Sequence, residues 1–474
     1  MNVRKTAAAF AAVLLMAAPA HAQQLLRDAE IEQWLEDYSH PLFHAAGVAP
    51  ESVHIWLIGD QTPNAFAGGL NMGVHTGLIT LADTPNQIEG VIAHETGHIA
   101  GGHSARSDEA IAAATRPMLL SLVLAAGAIA AGAPDAGIGI LGLGQNIGTA
   151  NYLTYSRGQE ARADQAAVTY LDRLGHSSEG LIEFFAKLRN YQVLTGRRIN
   201  PYLQSHPLAG QRMTALTRRA TSSPYYEVKD SEEDIFRLRM IQAKIKGFMQ
   251  ESLYTLREYP LSDQSRPAQY ARAVAYYRDT QIDKALNEIN RLIEWKSENP
   301  YFWELKGQML FEFGRVAESV EPHRKSVELA PTKALLRINL GRALVATEDV
   351  ANYDEAIKEL KAALLLEPDN GFGWFELARA YGGLGEKSMA DLATAEARYH
   401  AGAKAEANQF ARRAIHGLKK GTPEWRRASD IIIASQPEGA GALPQIVRGE
   451  DEPGPQDPPE TERPEGDVPD PEGS

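Results

Sequence analysis

The chain has no cysteine, which excludes disulfides, thiol catalysis, cysteine-ligated zinc and a lipid-modified N-terminal cysteine. An excess of positive charge is also missing. Lys and Arg number 48 against 61 Asp and Glu, a formal net charge of −13, and this argues against nucleic acid as a partner, since phosphate binding calls for a basic face. Long apolar runs are absent as well. Those at Ala7 to Ala18, Met118 to Ala131 and Gly137 to Ala150 all fall short of the ~20 residues that a membrane span needs.

What is present is enough for two or three domains: 474 residues, 44% of them hydrophobic. Much of the negative charge is local, because Gln436 to Ser474 holds 11 Asp and Glu against only Arg448 and Arg463. At the N-terminus, Arg4 and Lys5 precede the first apolar run and Ala20-His21-Ala22 supplies a small-x-small cleavage pattern. Residues 1–22 therefore read as a secretory signal of bacterial style, with a mature start near Gln23 and the periplasm as the expected destination; a retained anchor is the alternative.

The chemistry centres on Val91-Ile92-Ala93-His94-Glu95-Thr96-Gly97-His98-Ile99. Thr84-Pro85-Asn86-Gln87 predicts a helix start, with a Thr cap, Pro at the first position and Gln three after the cap. In the helix that follows, to about Gly101, His94 and His98 stack one turn apart and can grip one metal ion. Glu95 shares a side with Ile88, Val91, Ile92 and Ile99, where an ionisable group costs several kcal/mol unless it is paired or used. The zincin reading makes both histidines zinc ligands and Glu95 the base that deprotonates the water attacking a peptide carbonyl. A helix with two half-buried histidines and a charged neighbour is the bland alternative.

Leu25 to Ala46 suits one amphipathic helix, and Val53 to Ile58 reads as a strand. Asn64-Ala65-Phe66-Ala67 and a second strand-like run, Leu70 to Leu78, follow. An edge strand beside a zincin helix can hold extended substrate through its main chain. Gly69 to His75, with Asn71 and Gly73, is the expected edge; a strand with no substrate role is the alternative, and His75 is expected to be exposed. A third histidine ligand of the H-E-x-x-H-x-x-G-x-x-H kind is missing, since position 104 is Ser and His103 comes one residue early. His103 is expected to interact with the last helical carbonyls.

Ser156 to Ala167 opens a further predicted helix, running to about Leu174. Glu160 and Asp164 lie one turn apart there, so the first can complete a two-histidine, one-carboxylate site while the second orients an imidazole. An exposed acidic pair flanked by Arg157 and Arg162 is the alternative. The insert at 118–150, uncharged over Met118 to Ala131 and Gly137 to Ala150, is expected to be a mobile, sticky flap or a membrane-surface contact, with a membrane-embedded hairpin as a further reading.

His94-Glu95-x-x-His98, the preceding Asn64-Ala65-Phe66-Ala67, Glu160-x-x-x-Asp164 and the later Ser205-His206-Pro207-Leu208 together resemble the metallopeptidase family that includes HtpX, Oma and the CAAX prenyl endopeptidases. The resemblance extends over roughly Leu25 to Ala434 and is to its periplasmic BepA-type members, which follow the peptidase with tetratricopeptide repeats. It implies one zinc ion on His94, His98 and Glu160, and Glu95 as base. It also implies that His206 approaches or caps the metal, as a plug or as a transition-state aid; a helix-capping histidine is the alternative. Arg212, one turn into the next helix, is expected to face the same cleft and support an oxyanion.

After a linker at Ala220 to Asp230 and a connecting helix, the periodicity is helical and self-similar at about 34 residues. Trp303 and Gly307 stand before Gly314 and Pro331; Leu340, Gly341 and Leu344 lead to Ala356, Ala363 and Pro368; Trp374, Leu377, Ala378 and Tyr381 lead to Ala390. The middle repeat is about three residues longer in Thr347 to Tyr353. Such stacks bind peptides or proteins on a concave face, while Trp303, Trp374 and Tyr381 are assigned to packing. Beyond Ala434 the Pro-rich acidic tail is expected to be disordered.

The expected architecture is thus α+β: a mostly helical zincin-like domain with a small sheet at 23–220, a connection at 221–265, an all-α tetratricopeptide solenoid at 266–434 and a tail at 435–474. The expected function is a secreted zinc endopeptidase acting on misassembled envelope proteins, with repeats that recruit substrate or outer-membrane assembly machinery. A repeat-based chaperone or adaptor with a capped, mostly silent metal site is the alternative.

Overall fold

The computed structural model describes residues 24–104, 107–130, 134–195 and 201–436. The signal sequence expected at 1–22 and all but the first two residues of the tail lie outside them. The chain divides into two compact units, one ending at Ala343 and the other starting at Leu344.

The first unit opens with β1 (Leu25–Leu26) and α1 (Ala29–Ala46). The single helix expected from Leu25 is thus shortened, because Asp28 caps α1, its carboxylate accepting from the Glu30 and Ile31 amides. β2 (His54–Ile58), β3 (Ala65–Gly68) and β4 (Asn71–His75) complete a sheet of order β1-β2-β4-β3. β2 and β4 run parallel, while β3 pairs antiparallel with β4. The expected substrate edge is therefore wrong by one strand: Asn71 and Gly73 sit in an interior strand, and β3 forms the outside. Asn71 instead accepts a hydrogen bond from the Trp56 indole at 2.9 Å. Gly73 makes room for the Phe66 ring, which a Cβ there would meet at 2.5 Å. The run past His75 turns into a short helix, α2 (Thr76–Leu81). His75 is buried, not exposed, with burial pushing its imidazole below the ordinary range.

The motif helix α3 (Pro85–Ala100) is buried along almost its whole length, with Ile88, Val91 and Ile92 in the core beside Trp34, Phe43 and Phe184. Thr84 occupies its N-cap position but its side chain makes no cap bond. Gln87 reaches back to accept from the Asp83 amide, and Asp230, in the expected linker, accepts from the Asn86 amide. An anionic group at a helix N-terminus is favourable on both hydrogen-bond and dipole grounds.

The insert is helical. α4 (Ser107–Ala130) and α5 (Pro134–Leu174) form a packed pair, and Pro134 opens α5, proline being well placed at the first turn of a helix. The pair closes on small residues. Ser121, Ala125 and Gly144 are buried, and a Cβ on Gly144 would strike the Ser121 side chain. Large aliphatic residues point outward, among them Val123 at 69% and Ile138 at 66% exposure. Among the described residues no helix is long and apolar enough to cross a membrane.

α6 (Glu179–Thr195), α7 (Pro201–Ser205) and α8 (Gly210–Thr221) follow. α9 (Glu232–Met249) places Leu238, Ile241 and Ile245 in the core around α3, and Met240 and Ala243 in the next core along the chain. It is a shared wall. Its Lys244, fully buried, lies 2.7 Å from Asp28 and 3.1 Å from Glu30, and Tyr270 donates to Glu30 at 2.5 Å. Lys244→Ala leaves both carboxylates without their cation. The expected loss is about 2–4 kcal/mol of unfolding free energy, since a buried pair broken on one side costs ~3–5 and these acids are partly hydrated. Urea denaturation measures it, and a loss within error of zero would mean the lysine is dispensable.

α10 (Ser252–Glu258) leads to helix pairs: α11 (Arg266–Arg278) with α12 (Ile282–Trp295), and α13 (Pro300–Glu312) with α14 (Val316–Leu329). α15 (Ala334–Ala346) contains the division between units, and α16 (Tyr353–Leu366), α17 (Gly371–Gly383), α18 (Lys387–His400), α19 (Lys404–Gly417) and α20 (Pro423–Ala434) form the second unit. The extra residues of the middle repeat form a 3-10 turn at Val350–Asn352. The architecture is α+β, a helix-rich zincin-like part with a four-stranded sheet followed by all-α repeats.

Candidate metal centre

Two helices bring the site together. Gly97, inside the motif, lets α3 approach α5 closely: a Cβ there would meet the Ala163 backbone at 3.0 Å. This close crossing carries Glu160 and Asp164 to the two histidines. His206 arrives from the segment after α7, its amide donating to the Tyr202 carbonyl and its ring against that of Tyr202.

The donor atoms of His94, His98, Glu160 and His206 all lie within 4.8 Å of one another. His94 Nε2 is 3.2 Å from His98 Nε2 and 3.5 Å from Glu160 Oε2, and His98 Nε2 is 3.4 Å from Glu160 Oε1. His206 Nδ1 is 3.4 Å from His94 Nε2 and 3.1 Å from Glu160 Oε1. For a tetrahedron with bonds of ~2.0–2.1 Å the edges are ~3.3–3.4 Å. The residues thus fit one zinc ion in chemistry and in spacing.

Around this cluster the polar groups are graded by position. His94 Nδ1 lies 3.0 Å from Asp164 Oδ1. Burial opposes charge on His94, but the Asp164 and Glu160 carboxylates outweigh it and hold the imidazole up at about 9. His98 is pushed down to about 2 by burial and then by His94. Burial works against ionised Glu160 and Asp164 too. Hydrogen bonds from His206 and His94 keep Glu160 well below the carboxylate range, and Arg212 and His94 do so for Asp164.

Glu95 is fully buried, and neither of its carboxylate oxygens has a hydrogen-bond partner. A buried acceptor without a donor is costly. His206 Nε2 lies 3.6 Å from Glu95 Oε1. A water among the donors is the group that such an arrangement can serve.

One expectation needs correction. Arg212 does not face an open cleft: its Nε and Nη2 grip Asp164 at 2.6 and 2.8 Å, and Nη1 lies 2.7 Å from Glu160. A guanidinium fork matches a carboxylate bidentately, and the buried acid fixes it there. His103 meets the helix end as expected, its amide donating to the His98 carbonyl at 3.1 Å, and its ring reaches further. Gly102, at φ 61°, turns the chain back so that His103 Nδ1 stands 2.9 Å from His98 Nδ1. The signal was the Gly101-Gly102 pair, which licenses that turn.

Residues 27–220 match Peptidase family M48. The chain is 26% identical over 411 residues, 85% of its own length and 82% of the relative's, to the Beta-barrel assembly-enhancing protease of Escherichia coli (strain K12). It is 31% identical over 174 residues to Metalloprotease YcaL of the same organism, covering 36% of this chain and 63% of that one. Among solved structures it is similar to YrrB, a TPR protein with an unusual peptide-binding site, with TM-score 0.32 and 16% identity over 37% of this chain and 91% of that one.

Proposed function

We propose, from the match of residues 27–220 to Peptidase family M48 and from the donor cluster, that this chain is a zinc metalloendopeptidase that cleaves misfolded or misassembled outer-membrane proteins in the periplasm. The name of its Escherichia coli relative and the signal-like residues 1–22 support that setting. One observation carries the chemistry: four donors within 4.8 Å of one another beside a fully buried carboxylate whose oxygens have no hydrogen-bond partner.

In this reading His94, His98 and Glu160 hold the metal. When bound, zinc acts as a Lewis acid that makes water nucleophilic near neutral pH and polarises a carbonyl. Glu95 takes the proton from the attacking water and returns it to the leaving amine, its carboxylate oxygens left available by having no hydrogen bond. Asp164 fixes the His94 ring through Nδ1. Arg212 neutralises Asp164 and Glu160 and so positions ligands; the oxyanion role expected of it is withdrawn. β3, at the outside of the sheet and packed against α3, presents main-chain groups to an extended substrate. Asn71 and Gly73 support it from the interior. Residues 23–220 form the peptidase in this reading, 221–265 the connection and 266–434 the repeats, whose helix pairs recruit substrate or assembly machinery.

His206 Nδ1 takes the fourth corner, where an attacking water has to stand, and so acts as a plug. His206→Ala is expected to raise basal casein cleavage several-fold at unchanged zinc content, a modest change because only the site's open fraction shifts. Lost activity would make the imidazole a participant in the reaction; no change would leave it a structural residue.

The exposed aliphatic residues of α4 and α5, among them Leu122, Val123 and Ile138, support a peripheral membrane contact, their apolar runs being too short to span. Deletion of 124–144 should abolish flotation with anionic lipid vesicles while the far-ultraviolet dichroism of the repeats persists. Equal flotation of the deleted chain sinks this contact.

The chaperone or adaptor reading keeps one specific support, the His206 plug itself, since a capped site cleaves rarely while the repeats stay accessible. Glu95→Gln separates the two readings.

A further inference from the structure

In the second unit, α16, α17, α18 and α20 enclose an apolar groove of about 360 Å³. Leu365, Trp374, Leu377, Tyr381, Met389 and Leu392 line it. Trp374 was assigned above to packing alone, yet it is a groove wall that is held in place. Its indole donates to the Pro368 carbonyl at 2.8 Å, and Arg427 stacks over the ring at 5.5 Å while it pairs with Glu396. The groove is therefore preformed. Leu365, on its rim, is 84% exposed, an arrangement that folding of this unit by itself does not favour.

The chain's own continuation fits it. α20 contributes Pro423, Glu424 and Arg427 to the groove from its first turns, and the described residues end at Gln436, just past its other end. A helix of 12 residues is ~18 Å long. Seven residues beyond Gln436, at ~3.3–3.6 Å each, reach ~23–25 Å, so Leu443 can run back along α20 to the groove. From Pro437 onward the Leu, Ile and Val residues are Leu443, Ile446, Val447 and Val468. Three of them thus fall in one short stretch of an otherwise acidic, Pro-rich sequence. Pro444 opposes helix there, and in the polyproline conformation, with three residues per turn, Leu443 and Ile446 face the same way. The charges match as well. Arg448 follows directly and can meet Glu424, while Glu450-Asp451-Glu452 can meet Lys361 on the opposite rim.

We propose that Leu443–Val447 docks in this groove of the same molecule, as a built-in occupant that an apolar segment of a client must displace. The binding is intramolecular, so a weak contact suffices at the effective concentration that the short connection provides. The proposal is independent of the metal centre.

The test uses the full chain with Leu365 replaced by the photo-cross-linker p-benzoylphenylalanine, an exposed position whose change leaves the fold intact. Irradiation should join position 365 to a peptide within 437–448, with a yield that does not change on dilution. Leu443→Asp with Ile446→Asp should lower that yield by about tenfold or more, as expected for the loss of two buried aliphatic side chains, and should speed amide exchange in α17. The proposal is overturned by cross-links that dilute away, which indicate a second copy, or by cross-links only to a co-purified protein. No adduct at all, or one indifferent to the double substitution, overturns it equally.

Discussion

Glu95→Gln is expected to lower casein cleavage by about 10²–10⁴-fold, the contribution of a positioned acid–base group, while zinc content and partner binding by the repeats stay at wild-type levels. The substitution keeps volume and shape in a fully buried position, so packing around α3 is preserved. What changes is basicity: an amide cannot take a proton from water at neutral pH. Removing a buried charge without hydrogen-bond partners also relieves a desolvation penalty, so thermal stability should hold or rise. Initial rates on casein, metal analysis of the purified protein and thermal denaturation are the measurements. Cleavage retained within a few-fold of wild type would remove Glu95 from the reaction and favour the adaptor reading.

Glu160→Ala, made in a His206→Ala background, is expected to strip the site of zinc. The Glu160 carboxylate faces both imidazoles of α3, Oε2 at 3.5 Å from His94 Nε2 and Oε1 at 3.4 Å from His98 Nε2, and two histidines alone leave half the coordination sphere to water. Loss of a residue that merely orients a ligand costs about 10–100-fold in metal affinity, and loss of the ligand itself exceeds that. The His206 substitution matters because that imidazole stands 3.1 Å from Glu160 and is able to take the vacated place. Competition with a zinc chelator reads the affinity. Stoichiometric zinc in the double variant, held as tightly as in His206→Ala alone, would show that position 160 is not a ligand.

The two substitutions probe different distances along the chain, and the sequence was legible to different depths at each. The motif helix could be read because a ligand pair at i and i+4, a proline start and an apolar side are all local properties. Glu160 with Asp164 was readable as one helical turn. The repeats were readable because 34-residue self-similarity needs no knowledge of contacts. Other features failed where the reading was local but the cause was not. β4 looked like an edge, since alternation does not say which neighbour a strand has. Arg212 looked free, as nothing in its own helix reveals that Asp164 waits across α5. The 118–150 insert was read as a flap because its many glycines are poor helix formers. A second helix packed on Ser121, Ala125 and Gly144 turns those small side chains into an interface.

By itself the sequence determined what short-range geometry controls: the metal-ligand types, the helix that carries two of them, the carboxylate pair one turn apart, the repeat period and the exclusion of cysteine chemistry. Tertiary structure alone decided which groups converge. Gly97 against Ala163 sets the crossing that brings Glu160 to His94 and His98, and Gly102 folds His103 onto His98. The sheet order makes β3 rather than β4 the outer strand. The reason is physical: spacing along a helix is fixed by the backbone, whereas the approach of two helices depends on volumes contributed by residues far apart in the chain.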